Sequence, residues 1–149
     1  MEHPKPIKRS QAFVQLSKDH HLGLLLVWRV RQDLMKGTNG KEISSYVIDF
    51  FNNDLKQHFK EEEDYLFSKL PATDLLREQA EGEHRAICNL VASIRRNNAD
   101  TALLRQFGDL LEAHIRFEER TLFNHLQEQM SPEEQAQLLL HTTSRNNRT

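Results

Sequence analysis

Two short stretches of this chain repeat one arrangement of a histidine and a carboxylate. One reads His58-Phe59-Lys60-Glu61-Glu62-Glu63-Asp64-Tyr65-Leu66-Phe67, the other His114-Ile115-Arg116-Phe117-Glu118-Glu119-Arg120-Thr121-Leu122-Phe123. Both are His-x-x-x-Glu-Glu followed by Leu-Phe at the same offset, an internal repeat too short to be a solenoid unit. Residues four apart in a helix lie one turn apart on the same face. A neutral imidazole and a carboxylate so placed reach one metal ion. Two such helices facing each other present two carboxylates, and each can bridge a pair of metals.

Two further histidines, His20 and His84, each lie on the apolar stripe of another helical segment. Shared evenly, the set gives each metal two imidazole nitrogens and two bridging carboxylate oxygens. An oxo or hydroxo bridge from solvent adds a fifth ligand and leaves a position open. Mixed nitrogen and oxygen ligation with an open position suits iron or manganese. It suits structural zinc less, since such sites close at four ligands and often use thiolates. The metal charge also offsets two carboxylates that would be costly to bury unpaired. The expected ligands are therefore His20, His58, Glu62, His84, His114 and Glu118, holding two iron ions, with manganese or zinc as alternatives. A lone buried histidine is more often a hydrogen-bonded core residue. Two matched motifs, with one inward histidine on each remaining helix, outweigh that reading.

Four helices must position this set. The first runs from about Gln11 to Lys36, with Phe13, Leu16, His20, Leu24, Val27, Val30 or Arg31, and Leu34 at spacings of three and four, and Gly37-Thr38-Asn39-Gly40 stops it. His21 is rotated about 100° from that stripe. A small shift in helix start would exchange His21 for His20, and the stripe favours His20. The second helix spans about Lys41 to Lys69, ended by Pro71. Thr73 or Asp74 caps a third, carrying Leu76, Ala80, His84, Ile87, Val91 and Ile94. Asp100 caps the fourth, and Ser131-Pro132-Glu133-Glu134 starts a short fifth helix to about Leu140. The expected fold is all-α, an up-down-up-down four-helix bundle over residues 11–141 with a short C-terminal fifth helix. Residues 1–10, with Pro4 and Pro6, read as an irregular arm, and 142–149 as a disordered tail.

Composition agrees and excludes other classes. A chain of 149 residues suits one domain, and only 5 glycines and 4 prolines favour helices. A net charge of −2 offers no electrostatic case for nucleic acid. No apolar run approaches the ~20 residues of a membrane span. The single cysteine, Cys88, excludes an intrachain disulfide and fits a reducing cytoplasm.

In these motifs the chain resembles the hemerythrin-like, or HHE cation-binding, family. The matching segments are Asp19-His20-His21, His58-x-x-x-Glu62, Glu83-His84-Arg85 and His114-x-x-x-Glu118, with the Leu-Phe pairs at 66–67 and 122–123. The resemblance covers about Gln11 to Gln129. It implies a four-helix bundle in which these six residues bind a non-haem di-iron centre bridged by Glu62 and Glu118. Oxygen-carrying members have His-x-x-x-His on the third helix, where this chain has Cys88, and an Asp one residue after the position of Glu118. Both departures point away from reversible O2 carriage. Cys88 is expected as a small core residue, with a thiolate ligand as the alternative. Members that repair iron–sulfur centres carry N-terminal cysteines, and this chain has none there.

The expected function is thus a di-iron binding protein that binds or senses O2, NO or iron. Its rivals are a redox enzyme acting on peroxide or NO, an iron-centre repair protein, and a purely structural bundle. His125, whose repeat counterpart is Lys69, is expected to be structural. Glu61, Glu63 and Glu119 are expected to be solvated or to orient the ligand imidazoles.

Overall fold

A computed structural model describes residues 9–146, and these are helical with no strand among them. The first helix, α1 (Val14–Met35), follows a 3-10 turn over Gln11–Phe13 whose N-cap is Ser10. It buries Leu16, His20, Gly23, Val27 and Val30, the alternating steps of four and three that keep one stripe inward. It ends where Gly37 takes φ 76°, with Gly37 N–H on Leu34 C=O and Thr38 N–H on Asp33 C=O. This paired closure needs the left-handed conformation that glycine adopts without cost.

The second helical run is α2 (Gly40–Phe50), a π-helical segment Phe51–Leu55, and α3 (Lys56–Tyr65). It starts beside the 97–100 loop. A Cβ on Gly40 would stand 2.7 Å from Ala99 C=O, and the Ser44 hydroxyl donates to Asn98 C=O at 2.6 Å. α4 (Leu75–Arg96) is capped by Asp74, α5 (Thr101–Phe117) by Asp100, each carboxylate accepting two backbone N–H groups. A second π segment, Glu118–Leu122, joins α5 to α6 (Phe123–Gln129). Before α7 (Pro132–Asn146), Ser131 and Glu134 bond each other's backbone N–H in a capping box.

Two points differ from the expectation. The fifth helix continues past Leu140 to Asn146, and Thr142, placed in the expected tail, is buried with its hydroxyl on the Leu138 and Leu139 carbonyls. The rest of that tail, 147–149, and residues 1–8 of the expected arm lie outside the described residues. The π segments, each with one extra residue in a turn, had no counterpart in the periodicity.

The apolar residues form two clusters. One gathers Val27, Val30, Ile43, Val47, Ile87, Val91, Leu104 and Phe107, and the other Phe13, Leu16, Leu66, Phe67, Ala80, Leu122, Phe123 and Leu138. Each of the four long helical runs contributes to both clusters, and successive runs traverse them in opposite order. The inward histidines fall within about a turn or two of where each run crosses from one to the other. His20 lies between Leu16 and Val27, and His84 between Ala80 and Ile87. His58 lies between Leu55 and Leu66, and His114 between Leu111 and Leu122. A polar layer is thereby held between two hydrophobic plugs, where desolvation makes unmet polar groups costly.

Candidate metal centre

The six residues singled out in the sequence meet in this layer. His20, His58, His84 and His114 are 1–3% exposed, and Glu62 and Glu118 are fully buried. Donor atoms of His20, His58, Glu62 and Glu118 lie within 4.8 Å of one another, and so do those of Glu62, His84, His114 and Glu118. Two groups form that share both carboxylates, with two imidazoles apiece. His21, the alternative on the first helix, is exposed and belongs to neither group.

All four rings present Nε2 to the carboxylates. His20 Nε2 stands 2.9 Å from Glu118 and 3.6 Å from Glu62, and His84 Nε2 stands 3.0 Å from Glu62. The two intrahelical pairs, four residues apart, are His58–Glu62 at 3.3 Å and His114–Glu118 at 3.1 Å. The opposite ring atoms meet a second set of acids. Nδ1 of His20 is 2.8 Å from Glu119, Nδ1 of His58 3.1 Å from Asp19, and Nδ1 of His114 2.7 Å from Glu83. Each acid is the chain neighbour of a centre residue on the adjoining helix, so each helix orients the next. Glu119 was expected in such a role. Asp19 and Glu83 were not, although an acid directly before each lone histidine was the available signal.

This second set fixes the chemistry of the first. An imidazole that donates Nδ1–H to a carboxylate keeps a lone pair on Nε2. Those lone pairs face carboxylate oxygens, which also only accept. His58 Nε2, His114 Nε2 and one oxygen each of Glu62 and Glu118 are buried without a hydrogen-bond partner. Protons or a cation between acceptors relieve this. Without metal, burial disfavours the charged ring of His58, yet the nearby Glu62 charge and the bond to Asp19 outweigh it, raising its pKa to about 9. For His114, burial is likewise overcome by Glu118 and Glu83, giving about 10. His20 and His84 are also raised against burial by their carboxylate partners, and Glu62 is held well below the usual carboxylate range by the histidines around it. The donor set therefore fits a metal pair. It holds anionic oxygens, imidazole nitrogens and unmet acceptors, with oriented rings and no apolar side chain needed among the donors.

The Leu-Phe pairs supply the walls. Phe123 stacks on His20 at 5.2 Å between centroids, and Phe67 lies 5.1 Å from His84. Phe59 stacks on His84 at 3.8 Å. On the other half of the repeat its counterpart is Ile115, facing Gly23. There a cavity of about 340 Å³ reaches His20, His58 and His114, walled by Leu22, Leu55 and Phe59.

The remaining candidates lie outside the centre. His125 Nε2 bonds Asp74 at 2.8 Å, at the cap of α4. Cys88 is exposed and outside both donor groups, which corrects its placement in the core. The stripe Ala80, His84, Ile87, Val91 leaves position 88 at its edge. Glu61 is 1% exposed and 2.9 Å from His141 of α7, whose ring stacks on Tyr65 at 4.2 Å. No pattern in the sequence marked this contact, because it depends on where α7 crosses the bundle.

The hemerythrin HHE cation binding domain matches residues 12–126. This chain belongs to that family. No curated protein and no solved structure matches it. As a hemerythrin HHE chain it is an all-α bundle whose buried His/Glu cluster is compatible with a di-metal site. No helix among the described residues is long and apolar enough to cross a membrane.

Proposed function

We propose that the chain is a di-iron binding protein of the reducing cytoplasm that binds or senses O2, NO or iron. His20 and His58 would hold one metal and His84 and His114 the other, with Glu62 and Glu118 shared between the two groups. The observation that carries this reading is the set of buried, unmet acceptor atoms between rings already oriented from behind by Asp19, Glu83 and Glu119. His20 and His84 pair their Nε2 atoms with Glu118 and Glu62, but a core of merely structural histidines would not leave His58 Nε2 and His114 Nε2 unpaired beside them. Iron would supply reversible electron exchange and an open position for a small ligand.

The residues of the chain divide the remaining work. Glu119, Asp19 and Glu83 hold the Nδ1 protons of His20, His58 and His114, so the Nε2 lone pairs stay inward. Phe123 covers the His20 ring, and Phe67 and Phe59 cover the His84 ring. Gly23 leaves the cavity beside His20 and His58 open. At roughly 30 Å³ per water its volume is several-fold larger than a diatomic needs. The cavity would admit peroxide as readily as O2 or NO, so the second reading is a redox enzyme acting on peroxide or NO. Repair of iron centres would use the same site.

Visible spectra of the anaerobically reduced, iron-loaded protein, recorded before and after O2 and NO, test the ligand-binding part. New absorption bands with either gas are expected. Unchanged spectra with both would exclude a gas-binding role. Catalytic consumption of peroxide in the presence of a reductant would favour the enzyme.

A further inference from the structure

The four imidazoles are not equally supported from behind. Three have Nδ1 within 2.7–3.1 Å of a carboxylate. The fourth, His84, is 2% exposed and its Nδ1 has no hydrogen-bond partner. Behind it Glu63 stands 3.5 Å from Nδ1, a longer and weaker contact than the other three. Glu63 is the repeat counterpart of Glu119, yet the two are held differently. Arg9 fixes Glu119 through its side chain at 3.3 Å and its carbonyl at 2.6 Å. Glu63 has no Lys or Arg partner among the described residues, and its side chain is 46% exposed.

Outside His84 lies a groove of about 630 Å³, lined among others by Lys56, Lys60, Glu63, Arg85 and Cys88. Lys56, Lys60 and Arg85 form no ion pair among the described residues, so three cations line the groove beside one carboxylate. The His84 ring is pinned by Phe59 at 3.8 Å and by Glu62 at its Nε2, and it forms part of the groove wall. We propose that this groove binds a small oxyanion, a carboxylate or a phosphate, which accepts the His84 Nδ1–H while Lys56, Lys60 and Arg85 hold its charge.

Charge-assisted bonds from lysine and arginine to an oxyanion are among the strongest available to a side chain. The exposed Glu63 carboxylate swings outward to admit the anion. Because the acceptor behind a ligand imidazole raises its basicity, the bound anion tunes the half of the centre that His84 serves. The inference rests on the metal reading in one respect: a metal on Nε2 makes Nδ1 a donor.

Cys88, the chain's one cysteine, lies exposed in the groove and reports on it. The test is its alkylation by neutral iodoacetamide at constant ionic strength. Metal-free and iron-loaded full-length protein are titrated with inorganic phosphate, with acetate or with chloride, and metal content is measured on the same samples. Saturable slowing by phosphate or acetate, and not by chloride, is expected, the more effective of the two naming the ligand class. The double change Lys60→Gln with Arg85→Gln should weaken protection about tenfold, and Glu63→Gln should strengthen it. Lys18→Gln, on the outer face of α1, should change nothing. No protection by either oxyanion, or equal protection by chloride, overturns the proposal whatever the metal content. Failure to take up metal overturns the metal reading and leaves the alkylation result standing.

Discussion

Replacing Glu62 by Gln separates a metal-bridging carboxylate from a structural one. Glu62 is fully buried, and its oxygens face three rings, at 3.0 Å (His84), 3.3 Å (His58) and 3.6 Å (His20). Glutamine keeps the volume, so no cavity forms, but it removes the charge that these rings answer. Removing one partner of a buried charged cluster costs about 3–5 kcal/mol. The imidazoles lower that by releasing protons, which places the metal-free Glu62→Gln protein near the bottom of the range, at about 3 kcal/mol. At roughly 2–4 °C per kcal/mol for a chain of this size, its melting point should fall by roughly 6–12 °C. The loaded protein should lose more than stability. Glutamine offers one neutral carbonyl oxygen and cannot bridge, so iron uptake should fall to one ion per chain or fewer. Calorimetry and metal analysis on the same preparations give both numbers. Uptake of two ions by the variant would refute the bridging assignment, even if the melting point fell as calculated.

Three other outcomes follow from the same geometry. Without metal, His58 and His114 have folded pKa values of about 9 and about 10, above the ordinary 6.5. Their contribution to stability is thus fully present below about 6.5 and is lost as pH rises through 9 to 10. The melting point of metal-free protein should fall over that interval. Metal must displace the same protons, so iron affinity should rise across it, as pH-resolved titration would record. Glu83→Gln loosens the 2.7 Å hold on His114 and should weaken metal binding about 10–100-fold while leaving capacity intact at saturation. Glu63→Gln, behind His84 at 3.5 Å, should change metal affinity far less. His125→Ala removes the bond to Asp74 and should cost about 1 kcal/mol in denaturant unfolding, with metal content unchanged.

Much of this site was legible in the chain because it is written at helical spacing. His58 and Glu62, or His114 and Glu118, meet through local geometry alone. His20 and His84 were legible because apolar neighbours at three and four residues mark which face turns inward. Their choice over His21 needed only the stripe from Phe13 to Val27. The caps at Asp74, Asp100 and Ser131 were legible for the same local reason. What depends on tertiary placement was not. Asp19 and Glu83 act across to neighbouring helices, and Glu61 is buried only because α7 reaches it with His141. The π segments over Phe51–Leu55 and Glu118–Leu122 break the period on which the reading relied. They also sit at non-equivalent places in the repeat. Cys88 lies four residues after His84, a spacing that suggests the core, but the inward stripe of α4 is too narrow to include it.

Six side chains of one polar layer are proposed to hold two metal ions. Anaerobic iron loading of the purified protein, followed by removal of free metal and elemental analysis, tests this directly. Two iron ions per chain are expected, falling to one or none when Glu62 or Glu118 is replaced by alanine. Less than about one metal per chain after loading, or two irons retained in either variant, would contradict the assignment.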